Sequence, residues 1–176
     1  MRVGLALALA LLSLSWCARA RAAEPKRNAI SWEPFALLSR GMLIQYERLV
    51  LPELSLVGGV GARFGARDDF ASQTWVLKAE GRWWLKEKRG MTGPYLALGS
   101  VAARTSLESR RQNRSLGAYW QVEETARFGY RFVVFGLQEV TPSVGLSVIH
   151  EFDERGLLAP VTRGTMGFNL TVGWLF

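Results

Sequence analysis

Thr165-Met166-Gly167-Phe168-Asn169-Leu170-Thr171-Val172-Gly173-Trp174-Leu175-Phe176 alternates along its whole length. Met166, Phe168, Leu170, Val172, Trp174 and Phe176 are large and apolar. Thr165, Gly167, Asn169, Thr171 and Gly173 between them are small or polar, with Leu175 the exception. Successive side chains of a β-strand point to opposite faces, so a period of two predicts one strand with an oily face and a polar face. A tilted strand crosses a bilayer in roughly nine to eleven residues, and this stretch is long enough to do so.

The other end of the chain suggests where such a strand would be used. Met1-Arg2 is a short cationic start, and Val3 to Trp16 is an apolar run of signal-peptide length. It is too short for a membrane-spanning helix, which needs about twenty apolar residues. Ala18-Arg19-Ala20 and Ala20-Arg21-Ala22 both fit the small-x-small pattern of a cleavage site. The expected organisation is a signal peptide over 1–22, a short segment over 23–27 and one domain over 28–176. Leu14-Ser15-Trp16-Cys17 loosely resembles a lipoprotein signal, but bulky Trp16 before the cysteine is a poor match. Cleavage after Ala22 removes Cys17, the one cysteine of the chain, and with it any disulfide or thiol chemistry.

Cleavage also removes Arg2, Arg19 and Arg21, leaving 19 cations against 15 acids, a net charge of +4 in place of +7. No basic run is interleaved with aromatics as nucleic-acid binding requires. Beyond the signal peptide no apolar run is long enough for a spanning helix. Many aromatics and glycines then point to an all-β chain.

Seven further stretches alternate like the last one. They are Asn28 to Ser39, Met42 to Leu51, Leu54 to Gly65, Gln73 to Lys86, Pro94 to Arg104, Leu116 to Val134 and Gln138 to Phe152. Leu51-Pro52-Glu53 and the residues around Gly136 read as tight turns. The polar stretches Ala66–Ser72, Thr105–Ser115 and Asp153–Gly164 read as longer loops. Connections two, four and six are then generally short while three, five and seven are longer, and only the first departs, being tight. Short turns on one side and longer loops on the other are the asymmetry of membrane barrels. Eight strands close a barrel just wide enough for side chains to fill, with no helix needed.

Alternation alone leaves the inner face undecided, because a lipocalin-like secreted barrel alternates with its oily face inward. Three features favour oily side out. Aromatics lie near strand ends, as in interfacial girdles. The polar face is rich in Gly, Ser and Thr, which suits a cramped interior. The chain also ends on a strand, without the helix that lipocalins add.

Asn28-Ala29-Ile30-Ser31, Gln45-Tyr46-Glu47-Arg48, Glu80-Gly81-Arg82-Trp83-Trp84, Gly129-Tyr130-Arg131-Phe132 and Val172-Gly173-Trp174-Leu175-Phe176 resemble a family of small, uncharacterised bacterial outer-membrane barrels. That family is similar in architecture to the eight-stranded OmpA/OmpX type. The resemblance covers most of the chain after the signal peptide and implies an antiparallel up-and-down transmembrane barrel. It also implies that Trp174 and Phe176 form the C-terminal signal read by the barrel-assembly machinery. It carries no catalytic residues and no cofactor. One position stands out: strict alternation points Glu124 outward with Ala126 and Phe128, which calls for a bulge or for a strand end projecting above the membrane.

Some barrels of this size are enzymes. Lipid A deacylases place a Ser two residues from the catalytic His, whereas His150 is followed by Glu151, Phe152 and Asp153. Glu151 adjoins His150 on a strand and so faces the other way. An interfacial histidine is the expectation, and without a second His or a cysteine no metal site is expected. The presumed inner face carries Glu33, Glu47, Glu80, Glu123, Glu139 and Glu151 against Arg63, Lys78, Arg82, Arg104, Arg127 and Arg131. Such a set predicts an ion-paired, side-chain-filled lumen rather than an open porin, since an unpaired buried charge costs several kcal/mol. Arg110, Arg111 and Arg114 in an outer loop are candidates to meet lipopolysaccharide phosphates. The expected role is structural or loop-mediated interaction, without enzymatic activity. The alternatives are an outer-membrane lipid-modifying enzyme and a secreted ligand-binding barrel.

Overall fold

Eight alternating stretches become eight antiparallel strands: β1 (Asn28–Trp32), β2 (Gly41–Leu51), β3 (Leu54–Arg67), β4 (Phe70–Trp84), β5 (Gly93–Ser109), β6 (Arg114–Val134), β7 (Gln138–Asp153) and β8 (Val161–Leu175). The computed structural model describes residues 26–67, 69–85, 91–109, 111–112, 114–154 and 161–176. The expectations on the signal peptide, its cleavage site and Cys17 lie outside the described residues. Each strand pairs with its neighbours in sequence, and β1 returns to β8, so one sheet closes into a barrel, although short β1 leaves β8 without a ladder on that side from Val161 to Thr171.

The seam is held by a short ladder, Ala29↔Leu175 to Trp32↔Val172. Beyond it Asn28 N donates to Phe176 O at 3.0 Å and Phe176 N donates to Asn28 O at 2.9 Å. The last residue of the chain therefore takes part in closing the ring. The start of β1 and the end of β8 lie at the same end of the barrel, here called the terminal end, as do the end of β2 and the start of β3. At the β6–β7 turn Phe135 and Gly136 both have positive φ (53° and 76°), the backbone sense that matches a hairpin to strand twist.

Alternation resolves into faces as expected from β8. Leu98 and Met166 are 71% and 73% exposed, and Leu77, Trp83, Leu146 and Phe168 share that outer wall. Ser31, Gln45, Glu47, Lys78, Glu80, Arg82, Arg131, Glu139, Thr141 and Thr171 are buried inside. The polarity is the inverse of a barrel with an oily core. The fifth strand, whose residues are mostly small, divides in the same way: Tyr95, Ala97 and Val101 face inward, Leu96 and Leu98 outward.

The structure corrects three expectations. First, the opening strand does not run to Ser39: β1 stops at Trp32, and Pro34–Ser39 form a short 3-10 helix. Pro34 has no N–H to donate to a ladder, and its fixed φ suits a helical first turn instead. Ala36 N then bonds Glu33 O, and Arg40, in a left-handed conformation (φ 55°), ends the turn.

Second, two of the three polar stretches do not form long loops, while the third is cut back to the connection 154–160. β3 and β4 continue through Ala66 and Ser72, so only 68–69 separate them, and only 110–113 separate β5 from β6. Eight consecutive residues, 85–92, separate β4 from β5 on the side expected to be short. Backbone pairing does not need apolar side chains, so the sheet outruns its oily belt.

Third, Arg104 is not an inner-face charge. It pairs across the sheet with Trp75 and Trp120, on the outer wall.

Candidate functional site

The charges spaced two apart on β4 supply one row of a network that crosses the interior. Arg82 bridges Glu80 (Nε–Oε1, 2.6 Å) and Glu47 on β2 (Nη1–Oε2, 2.7 Å). Arg131 on β6 pairs with the same Glu47 oxygen and with Glu139 on β7 (Nε–Oε2, 2.7 Å). Glu80 also takes Arg127 on β6 and Lys78 (3.7 Å), and Lys78 reaches Glu33 just past β1 (3.2 Å). Glu33, Glu47, Glu80 and Glu139 thus face Lys78, Arg82, Arg127 and Arg131, four acids against four bases in one connected set. Its formal charge is zero, as a low-dielectric interior demands.

Neutral groups complete the plug. Ser55 donates to Glu47 (2.5 Å) and accepts from Trp84 Nε1 (3.0 Å). Gln45 and Asn169 donate to Glu33 at 2.6 and 3.0 Å. Trp84 and Tyr95 contact each other with ring centroids 5.1 Å apart. The Arg131 guanidinium lies 4.9 Å from the Trp84 ring and that of Arg82 lies 5.0 Å from the Tyr95 ring. Such stacking adds to the hydrogen bonding of a desolvated guanidinium. The Tyr95 ring lies over Gly129, where any Cβ would sit 2.5 Å from it. Only glycine leaves room for that ring.

Sequence reasoning did not single out Trp84 and Tyr95. For Trp84 the signal was present, because it shares the parity of Lys78, Glu80 and Arg82.

Other predicted residues lie elsewhere. Glu151 faces inward at the far end, on Arg163 (2.7 Å), and takes no part in the plug. Arg63 and Glu123 face inward too, but neither is in an ion pair among the described residues. With Arg104 outside, the expected set of six acids and six bases therefore contributes only part of itself to the network.

Arg104 donates to Glu154 (2.6 Å), a bond that holds the Glu154 carboxyl below the usual carboxylate range. Arg111 and Arg114 are exposed at the far end, and Arg110 is outside the described residues. His150 faces outward, with Nδ1 3.0 Å from Thr162 Oγ1 and its ring against Phe152. Glu151 points the opposite way, as expected. Glu124 is outward and exposed in unbroken register opposite Ser100 and Val148. The irregularities of β2–β3 and β5–β6 pairing lie at Leu49/Leu51 and Leu107/Glu108, so no bulge re-aims it.

Above the plug, midway along the barrel, is a polar recess of about 220 Å³. Glu33, Arg63, Lys78, Glu123, Arg127 and Asn169 are among the residues that line it.

Fold and interior together define an eight-stranded antiparallel β-barrel with an apolar outer wall and an ion-paired core. Comparison of the chain with protein-family models, curated proteins and solved structures finds no match.

Proposed function

We propose that this chain is a bacterial outer-membrane β-barrel, exported by a cleaved signal peptide over 1–22, with a lumen closed by its own side chains. Its role is structural or loop-mediated rather than that of an open porin or an enzyme. The observation that carries the reading is the inverted polarity: a continuous exposed belt of Leu, Val, Phe, Met and Trp around a charged, neutralised interior. Water-soluble monomers rarely expose apolar patches of more than a few hundred Å², whereas a spanning barrel needs such a belt. The ring of hydrogen-bonded strands supports the same reading, since backbone groups in hydrocarbon need partners, although β8 meets β1 only from Val172 to Leu175.

On this reading Trp83, Tyr130, Phe132 and Trp174 sit in the interfacial girdle of the terminal end, and Trp75 and Trp120 in that of the far end. Arg111 and Arg114 stand where lipopolysaccharide phosphates would meet them, and Trp174 and Phe176 are the features the barrel-assembly machinery would read. The outward carboxylate of Glu124 costs least if it lies near the edge of the hydrocarbon. The non-enzymatic reading rests on His150, whose contacts are a threonine and a phenylalanine rather than a serine and an acid.

Fractionation of native cells combined with a heat-modifiability gel tests the proposal. The protein is expected in the outer-membrane fraction, migrating differently in detergent before and after boiling. Recovery as a soluble periplasmic protein would overturn it.

A further inference from the structure

The recess above the plug has charges left over. Within the plug every acid meets at least one base, and the set is neutral without outside help. Three donors converge on Glu33, from Gln45, Lys78 and Asn169, and all three fall on Oε1. Oε2 of the same carboxylate takes none of them, and Glu33 lines the recess. Glu123, partly buried on β6, presents a second carboxylate to the same space. Arg63, on β3, presents a guanidinium. Two strands, β4 and β5, separate β3 from β6 in the ring, so these charges come from different walls and are not neighbours in one ladder.

The polarity of the recess selects among ligands. A simple anion would find Arg63 but also two carboxylates. A simple cation would find the carboxylates but also Arg63, with Lys78 and Arg127 behind it. A molecule carrying both charges meets each with its complement. The volume holds about seven waters at roughly 30 Å³ each, which is the room of a ligand with a similar number of non-hydrogen atoms. Thr125, whose hydroxyl donates to Gly99 O at 3.4 Å, and Ser147 are also in the lining.

We propose that the recess binds a small zwitterion of the amino-acid type. Its carboxylate is held by Arg63, and its ammonium by Glu123 and Oε2 of Glu33. The inference goes beyond the membrane reading and needs only a folded barrel.

The test uses the full-length chain folded in a non-ionic detergent, with folding checked by the heat-modifiability gel. Glycine, β-alanine and γ-aminobutyrate, whose charges are progressively farther apart, are titrated by calorimetry and against the NMR signal of the Arg63 guanidinium. Acetate and methylammonium serve as single-charge controls. At least one zwitterion is expected to bind saturably and to shift the Arg63 signal, with both controls at least tenfold weaker. Arg63→Gln and Glu123→Gln should each weaken binding by about tenfold or more, as loss of a charged hydrogen bond does.

Absence of binding by every zwitterion to a folded barrel would overturn the inference while leaving the membrane reading intact. Acetate or methylammonium binding as tightly as the zwitterions would overturn it as well. Should the variants fail to fold, that comparison on the unaltered protein still decides. A chain that proves soluble would sink the membrane reading without touching the recess.

Discussion

Glu80 shows how much of the interior hangs on single side chains. It is 5% exposed and takes Lys78, Arg82 and Arg127, so three cations share one carboxylate, and Arg127 meets no other acid among the described residues. Glu80→Leu would leave them without that partner in a space with little water. Removing one partner of a buried pair costs about 3–5 kcal/mol, so the urea midpoint of the folded barrel should fall clearly. An unchanged melt would show that the interior is well hydrated. Gly129→Ala tests the same layer from its other side. The new methyl would collide with the Tyr95 ring, and overpacking of this kind costs about 1–3 kcal/mol. Near-ultraviolet circular dichroism from the Trp84–Tyr95 pair should change with it; an unaltered spectrum would mean that the ring moves aside freely. Both glutamate and glycine were legible as inner-face residues from parity. Their partners on other strands were not, because parity says which face a residue takes and nothing of what lies across the lumen.

At the scale of elements, the seam is the thinnest part of the sheet. β1 offers β8 four register pairs, whereas β5 and β6 are joined from Gly93↔Arg131 to Ser109↔Arg114. Phe176 adds the two backbone bonds with Asn28 at its edge. Deleting Phe176, or replacing Trp174 and Phe176 by Ser, removes either the bonds or the outward aromatics at the terminal end. On the proposed reading such chains should accumulate bound to chaperones or be degraded. Normal surface assembly, followed by protease accessibility on whole cells, would show that the terminus carries no assembly signal. β1 is short because Pro34 breaks the ladder, a stop that was visible in the sequence but outweighed there by the continuing apolar alternation of Ala36 and Leu38. The polar ends of β3, β4, β5 and β6 were misjudged for the converse reason. Hydrophobic pattern marks the belt, while hydrogen bonding sets the strand length.

For the molecule as a whole, the plug between the terminal end and the recess makes a further expectation. A closed ring of eight strands has little lumen beyond its own side chains, and here the charged ones are bridged to each other. Planar bilayers containing the folded protein should therefore show no stable single-channel steps. Clear, reproducible steps would mean that the ion-paired layer opens and that the interior is a pathway.

The sequence by itself determined the number and order of the strands and, Arg104 apart, which side chains share a face. Those follow from local alternation and from turns such as Leu51-Pro52-Glu53, and both are properties of neighbouring residues. Only the tertiary structure decided which charges meet: Glu47 with Arg82 and Arg131, Glu80 with Arg127, Glu33 with Lys78 and Asn169. It also decided that Arg63 and Glu123 are left facing an open recess, and that Arg104 sits outside between two tryptophans. The pairings depend on the stagger of strands around a closed ring, a quantity that no single strand encodes, whereas the face of Arg104 follows from its even spacing from outward Leu96 and Leu98.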